Sequence, residues 1–205
     1  MLNKLPSIPE LDYQIVMDTL KEYAHPRKTL SDLLHRGVLQ RVKKGVYVQT
    51  GFGIQPFSKE ILANMVYGPS YISLEYALAY HGLIPERVIQ VTSVTTRKTK
   101  AFQSSCGNFS YTHVPIEYYR FGFIRQVLGD NRAFLIAEPA KAIADRVLAE
   151  KGRFSVRSMR EFLFDNLRID PSGFKTLDRN ILTEAARLAG RQSLEILRKV
   201  QENFS

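Results

Sequence analysis

The chain has 205 residues, 44% of them hydrophobic and 11% aromatic, and a formal net charge of +9. That size and composition fit one sizeable folded domain, or a small one plus a medium one, and exclude a disordered polyelectrolyte. No apolar run approaches the roughly 20 residues of a membrane span, and residues 2–12, broken by Pro6, Pro9 and charges, do not have the layout of a secretory leader.

A positive balance suggests a polyanionic partner, nucleic acid first. The excess is spread evenly. Residues 1–50 carry eight basic and five acidic side chains, 51–135 again eight and five, and 136–205 thirteen and ten. Locally, residues 25–45 hold Arg27, Lys28, Arg36, Arg41, Lys43 and Lys44 against Asp32 alone, and Arg97, Lys98 and Lys100 form a smaller cluster. A solvated face is the ordinary alternative for either. Cys106 is the single cysteine, so no internal disulfide forms and a cytoplasmic location is expected.

In chain order, Tyr13, Val16, Met17, Leu20 and Tyr23 recur at three- and four-residue steps, which predicts a helix over 10–24. Pro26 suits the first turn of a second helix over 27–36, whose inward stripe is Leu30, Leu33 and Leu34. Thr29 and Asp32 have capping-box spacing, so 29 is an alternative start. Gly37 closes that helix. Residues 38–42 and 46–48 flank a Lys43-Lys44-Gly45 turn and read as a β-hairpin.

Helix, helix, basic hairpin is the outline of a winged helix. In that reading Arg27, Lys28, Ser31, His35, Arg36 and Arg41 face DNA, and the Lys43-Lys44 tip meets phosphates. Between Leu20 and Arg27 there is no room for the positioning helix of a full helix-turn-helix. A packing or partner-binding cap is therefore the competing reading. Gly51-Phe52-Gly53, with Pro56 behind it, marks the expected boundary between a basic head, 1–52, attached as a separate module, and a body, 53–205.

In the body, Ser58 caps a helix with Ile61, Leu62, Met65 and Val66 inward, ended by Gly68-Pro69. Ser73 is the expected N-cap of the next helix, buried through Leu74, Ala77 and Leu78 and stopped by Gly82 and Pro85. Val88, Ile89, Val91 and Val94 with Thr92, Thr95 and Thr96 predict a buried strand. Residues 103–108 read as a turn, and Phe109, Tyr111 and Val114 as a returning strand. The aromatic stretch 116–123 is either core under a loop or a stacking and partner-anchoring surface.

Residues 133–137 predict a short strand and 139–150 a helix, with Ala140, Ile143, Ala144, Val147 and Leu148 on its apolar face. Glu138, Lys141 and Asp145 fall three and four apart on the other face, and Glu138 with Lys141 reads as a surface helix pair. Helices over 156–166, 173–188 and 192–204 complete the chain. The fold class is α+β: an N-terminal winged-helix-like module, then a mixed α+β domain ending in a helical C-terminal region.

Three blocks, Ile72-Ser73-Leu74-Glu75-Tyr76-Ala77-Leu78, Gly82-Leu83-Ile84-Pro85-Glu86 and Thr92-Ser93-Val94-Thr95-Thr96-Arg97-Lys98, carry a resemblance. With Gly107-Asn108-Phe109-Ser110-Tyr111 and Ala137-Glu138-Pro139-Ala140-Lys141-Ala142 following in order, the chain from about residue 57 onward resembles AbiEi-type antitoxins of type IV toxin–antitoxin (abortive infection) systems. The resemblance implies an antitoxin that counteracts a nucleotidyltransferase-type toxin without needing a stable complex, with Glu75, Arg97 and Lys98 as candidate residues for that function. It also implies a head that represses the operon by binding operator DNA, at inverted repeats if two copies act together. The family block has an acidic residue before its lysine, where this chain has Ala140.

Catalytic chemistry has little to stand on in the sequence. His25, His35, His81 and His113 are scattered and pair with no other ligand at metal spacing. Cys106 has no neighbouring base, and Glu138 with Lys141 lacks the second carboxylate of a metal-dependent nuclease. The chain is read as a non-enzyme needing no metal or cofactor, with a stand-alone winged-helix regulator without a toxin partner as the alternative.

Overall fold

The front of the molecule runs β1 (Glu10–Asp12), α1 (Tyr13–Leu20), α2 (Pro26–His35), β2 (Leu39–Lys43) and β3 (Val46–Gln49). The computed structural model describes residues 5–51 and 53–204. Phe52 of the expected boundary, and residues 2–4 of the segment compared with a leader, lie outside the described residues.

The helix expected from residue 10 starts instead at Tyr13, because Glu10–Asp12 pairs antiparallel with β3, Leu11 opposite Tyr47. Asp12 then caps α1 by accepting from Ile15 N at 2.8 Å. In α2, Pro26 occupies the first turn, and Thr29 is not a cap: its hydroxyl donates back to His25 O at 3.1 Å. Gly37, at φ +68°, ends α2 with Val38 N bonding to Leu33 O.

β3 lies between β1 and β2 and is buried on both faces. Tyr47 joins Leu11, Val16, Leu20, Leu30, Leu33 and Leu39 in a small core. Val46 and Val48, with Val42 of β2, point the other way into the large core. The head therefore shares a core with the body, which corrects the expectation of a separately packed module.

A polar clamp fixes the same joint. Arg132 donates to both carboxylate oxygens of Glu10 at 2.7 Å and to Asp130 at 2.7 Å, while Glu10 also accepts from Ser58 N at 2.5 Å. The Glu10 side chain is 3% exposed and that of Arg132 16%. Arg132→Ala strands a buried carboxylate, so urea unfolding is expected to show a loss of about 3 kcal/mol, the low end for a buried pair because Arg132 is partly wet. Arg132→Lys, which keeps the charge but not the fork, should recover only part of it.

The body follows as α3 (Lys59–Val66), β4 (Ser70–Ile72), α4 (Leu74–Tyr80), β5 (Val91–Thr95), β6 (Lys100–Ser104) and β7 (Gly107–His113). Then come α5 (Ile116–Tyr119), β8 (Phe123–Val127), β9 (Ala133–Ala137) and α6 (Pro139–Ala149). α7 (Val156–Arg160) continues into a π-helical stretch, Glu161–Asn166, and α8 (Pro171–Lys175), α9 (Arg179–Ala189) and α10 (Gln192–Glu202) complete the chain.

Six strands form one mixed sheet in the order β6-β7-β5-β4-β9-β8. β5 runs parallel to β7, with Ser93 opposite Tyr111, and β4 parallel to β9, with Ile72 opposite Ile136. α3 packs on β4, β5 and β9, while α6 is held among α4, α9, α10 and β9. The molecule is a mixed α+β protein. Among the described residues, no helix is long and apolar enough to cross a membrane.

Enclosure of α6 overturns the expected outward placement of Lys141 and Asp145. Lys141 and Asp145 side chains are both 0% exposed and bonded to each other, one turn apart. Lys141 Nζ also donates to the Tyr71 hydroxyl at 2.6 Å. The second Asp145 oxygen accepts from Ser73 Oγ at 2.6 Å and Tyr71 Oη at 3.1 Å. Ser73, expected to cap α4, therefore spends its hydroxyl on α6 and makes no cap bond.

The Lys141 ammonium lies 3.8 Å from the Tyr118 ring centroid and 5.0 Å from that of Phe121. Its alkyl stem lies against Gly122, where a Cβ would approach Lys141 Cδ to 2.9 Å and where φ is +72°. Burial pushes the ammonium's pKa down, opposed by the Asp145 charge. Tyr118 and Tyr119 are buried, so those two residues of the aromatic stretch are core.

Candidate nucleic-acid interface

α2 buries Leu30 and Leu33 against α1 and the small sheet, which turns Arg27, Lys28, Ser31 and His35 outward at helical spacing. All four are exposed, as are Arg36 after the helix and Arg41 on β2. Among the described residues, none of Arg27, Lys28, Arg36, Arg41 and Lys44 has a carboxylate within 4 Å. Clefts open at both ends of α2. One, of about 930 Å³, is lined by Tyr13, Met17, Lys21 and Arg27; the other, of about 680 Å³, by Ser31, His35, Gln40 and Arg41.

Several arginines elsewhere are paired with carboxylates. Arg146 pairs with Glu75 at 2.7 Å and with Glu150 at 2.8 Å, Arg157 with Glu161 at 3.0 Å, Arg187 with Glu184, and Arg198 with Glu195 and Glu202. On the head the unpaired cations are close together in the chain, on α2 and the strand and turn that follow it.

The hairpin tip departs from the expected wing. Asp12 of β1 already pairs with Val46, and Lys43 with the same residue, so only Lys44 and Gly45 extend past the sheet. A register shift between Arg41 and Lys43 turns Lys43 toward the body. There Lys43 Nζ donates to Val66 O at 2.7 Å, at the C-terminal end of α3. Lys44 alone of the two stays exposed. Gln40 docks β2 in the same direction, donating to Ser105 Oγ at 2.6 Å.

That docking joins the two basic clusters that lie far apart in the chain. Lys43 Nζ sits 4.8 Å from the Phe102 ring centroid and Lys100 Nζ 5.1 Å from the same ring. The Arg97 guanidinium is 5.6 Å from the Tyr67 ring, and the two rings are 5.4 Å apart. Burial, and then the charges of Lys100 and Arg97, lower the Lys43 pKa. Tyr67 and Phe102 have no sequence signal as site residues; the turn expected at 103–108 overlaps the end of β6, whose exposed edge carries no apolar alternation.

The antitoxin candidates do not form one constellation. Glu75 is taken by Arg146 on α6, whereas Arg97 and Lys98 are exposed on the β5–β6 turn. Among the described residues no group of histidine, cysteine and carboxylate side chains could hold a metal ion. The densest titratable cluster, Lys141 with Asp145 and Tyr71, is buried out of reach of any substrate. Compared with protein-family models and with curated proteins, the sequence matches none.

Proposed function

We propose that this chain is a cytoplasmic, non-catalytic antitoxin of a type IV toxin–antitoxin system, which counteracts a nucleotidyltransferase-type toxin and represses its own operon through the head. The observation that carries the DNA-binding half is the outer face of α2, exposed and without carboxylate partners. Its setting supports a winged-helix reading, because strand, helix, helix, strand, strand with the first strand beside the last is the frame that presents a second helix to a major groove. In that role Arg27, Lys28, Arg36 and Arg41 meet phosphates, and Ser31 and His35 lie where base edges are read. The antitoxin half rests on the resemblance of the body's sequence blocks to AbiEi-type antitoxins.

The test is co-expression with the product of the adjacent gene. A nucleotidyltransferase that arrests growth should be neutralised by the full-length chain, and equally by an Arg27→Gln/Lys28→Gln variant that no longer represses the operon. The body alone is a poor reagent, since truncation strips Val42, Val46, Val48 and Glu10 from its core and clamp. A neighbouring gene of another kind, with operator binding intact, would leave the stand-alone regulator as the better account of the basic head.

A further inference from the structure

Lys43, Arg97 and Lys100 gather around two touching rings, Tyr67 and Phe102, with no carboxylate within 4 Å of any of them among the described residues. Rings hold these cations without cancelling their charge, which is how a protein keeps a positive surface available to an incoming anion. Beside them opens a cleft of about 620 Å³, lined by Tyr67, Thr96, Arg97, Lys98, Thr99 and His113. Its volume is in the range of sites that take a small organic unit.

We propose that this cleft, at the junction of the β5–β6 turn, the end of α3 and the hairpin tip, binds single-stranded nucleic acid, separately from the duplex surface of the head. Arg97 is exposed and lies over Tyr67, so its outer guanidinium face is open to an unstacked base. Lys98, Lys100 and Lys43 are placed for the flanking phosphates. A duplex keeps its base faces stacked inside and has no use for a ring-backed cleft, whereas a single strand offers phosphate and base face together. The inference stands on the body and does not need the head to bind DNA.

Fluorescence anisotropy of a fluorescein-labelled 12-nucleotide oligo(dT) with the full-length protein is the test. Arg97→Gln/Lys100→Gln, both exposed, should weaken binding by about fivefold or more and reduce the salt slope by about 0.7, the one phosphate contact of Lys100. Tyr67→Leu should weaken it by about fivefold or more with the slope unchanged. Arg27→Gln/Lys28→Gln should leave the affinity within about twofold. Unchanged affinity and slope in the Arg97/Lys100 variant would overturn the proposal. So would an equal loss in the head variant, or displacement of the oligo(dT) by an equimolar 12-base-pair duplex.

Discussion

Lys141→Ala is expected to lower the free energy of unfolding by about 3–5 kcal/mol, among the largest effects of any single substitution in the chain. The cost does not come from the contact itself. It comes from leaving Asp145, at 0% side-chain exposure, charged and without its cation in a site that water does not reach. Asp145→Asn should cost a similar amount by the opposite route, stranding the ammonium. The combination Lys141→Met with Asp145→Asn should be markedly milder than the sum. Methionine fills the stem's volume against Gly122 and the rings of Tyr118 and Phe121, and the asparagine carbonyl still accepts from Ser73 and Tyr71. Urea denaturation of the wild type, Lys141→Met, Asp145→Asn and the double variant closes the cycle. Additive losses, or a Lys141→Ala cost under about 1 kcal/mol, would mean that the buried charges do not depend on one another.

This network also shows where the sequence was legible and where it was not. Local signals sufficed for α2, where Pro26, the Leu30 and Leu33 stripe and Gly37 agree, and for β9 and α6 as elements. Periodicity placed Lys141 and Asp145 on the outer face of α6, and it failed because α4, α9 and α10 enclose that helix on its other sides. Nothing local to the helix announces such enclosure. β1 was lost because three residues ahead of a helix continue its apolar pattern, and only pairing with β3 makes them a strand.

Ser73 is a similar case, an N-cap by position whose hydroxyl is claimed by Asp145 from 72 residues away. The candidate interface divides the same way. The outward side chains of α2 follow from helix geometry, whereas Lys43 was misplaced because one register shift in β2 reverses the side on which it emerges. Several blocks that carry the family resemblance turn out to be core-building: Ser73 and Lys141 in the buried network, Thr92 bridging Ser73 O and Tyr76 N, and Tyr111 donating to Ala63 O.

Changing Arg27, Lys28 and Arg36 together to glutamine should reduce the salt slope of operator-duplex binding by about 2.7, three phosphate contacts at about 0.9 each. The loss should fall equally on operator and unrelated duplexes, since phosphate contacts position the protein without reading sequence. Ser31→Ala and His35→Ala should instead narrow the gap between the two duplexes and leave the slope alone, because the outward side chains of the second helix are those that reach base edges.

The hairpin tip supplies the internal control. Lys44, exposed beyond the sheet, should cost the duplex slope about one contact when changed to alanine, and Lys43, bonded to Val66 O on the body, should cost it nothing. A duplex slope that ignores the α2 variant would remove the head from the DNA and make its bare charge a solvated face. A slope that responds to Lys43 and not to Lys44 would place the duplex on the body side of the hairpin, against the orientation that the register shift in β2 imposes.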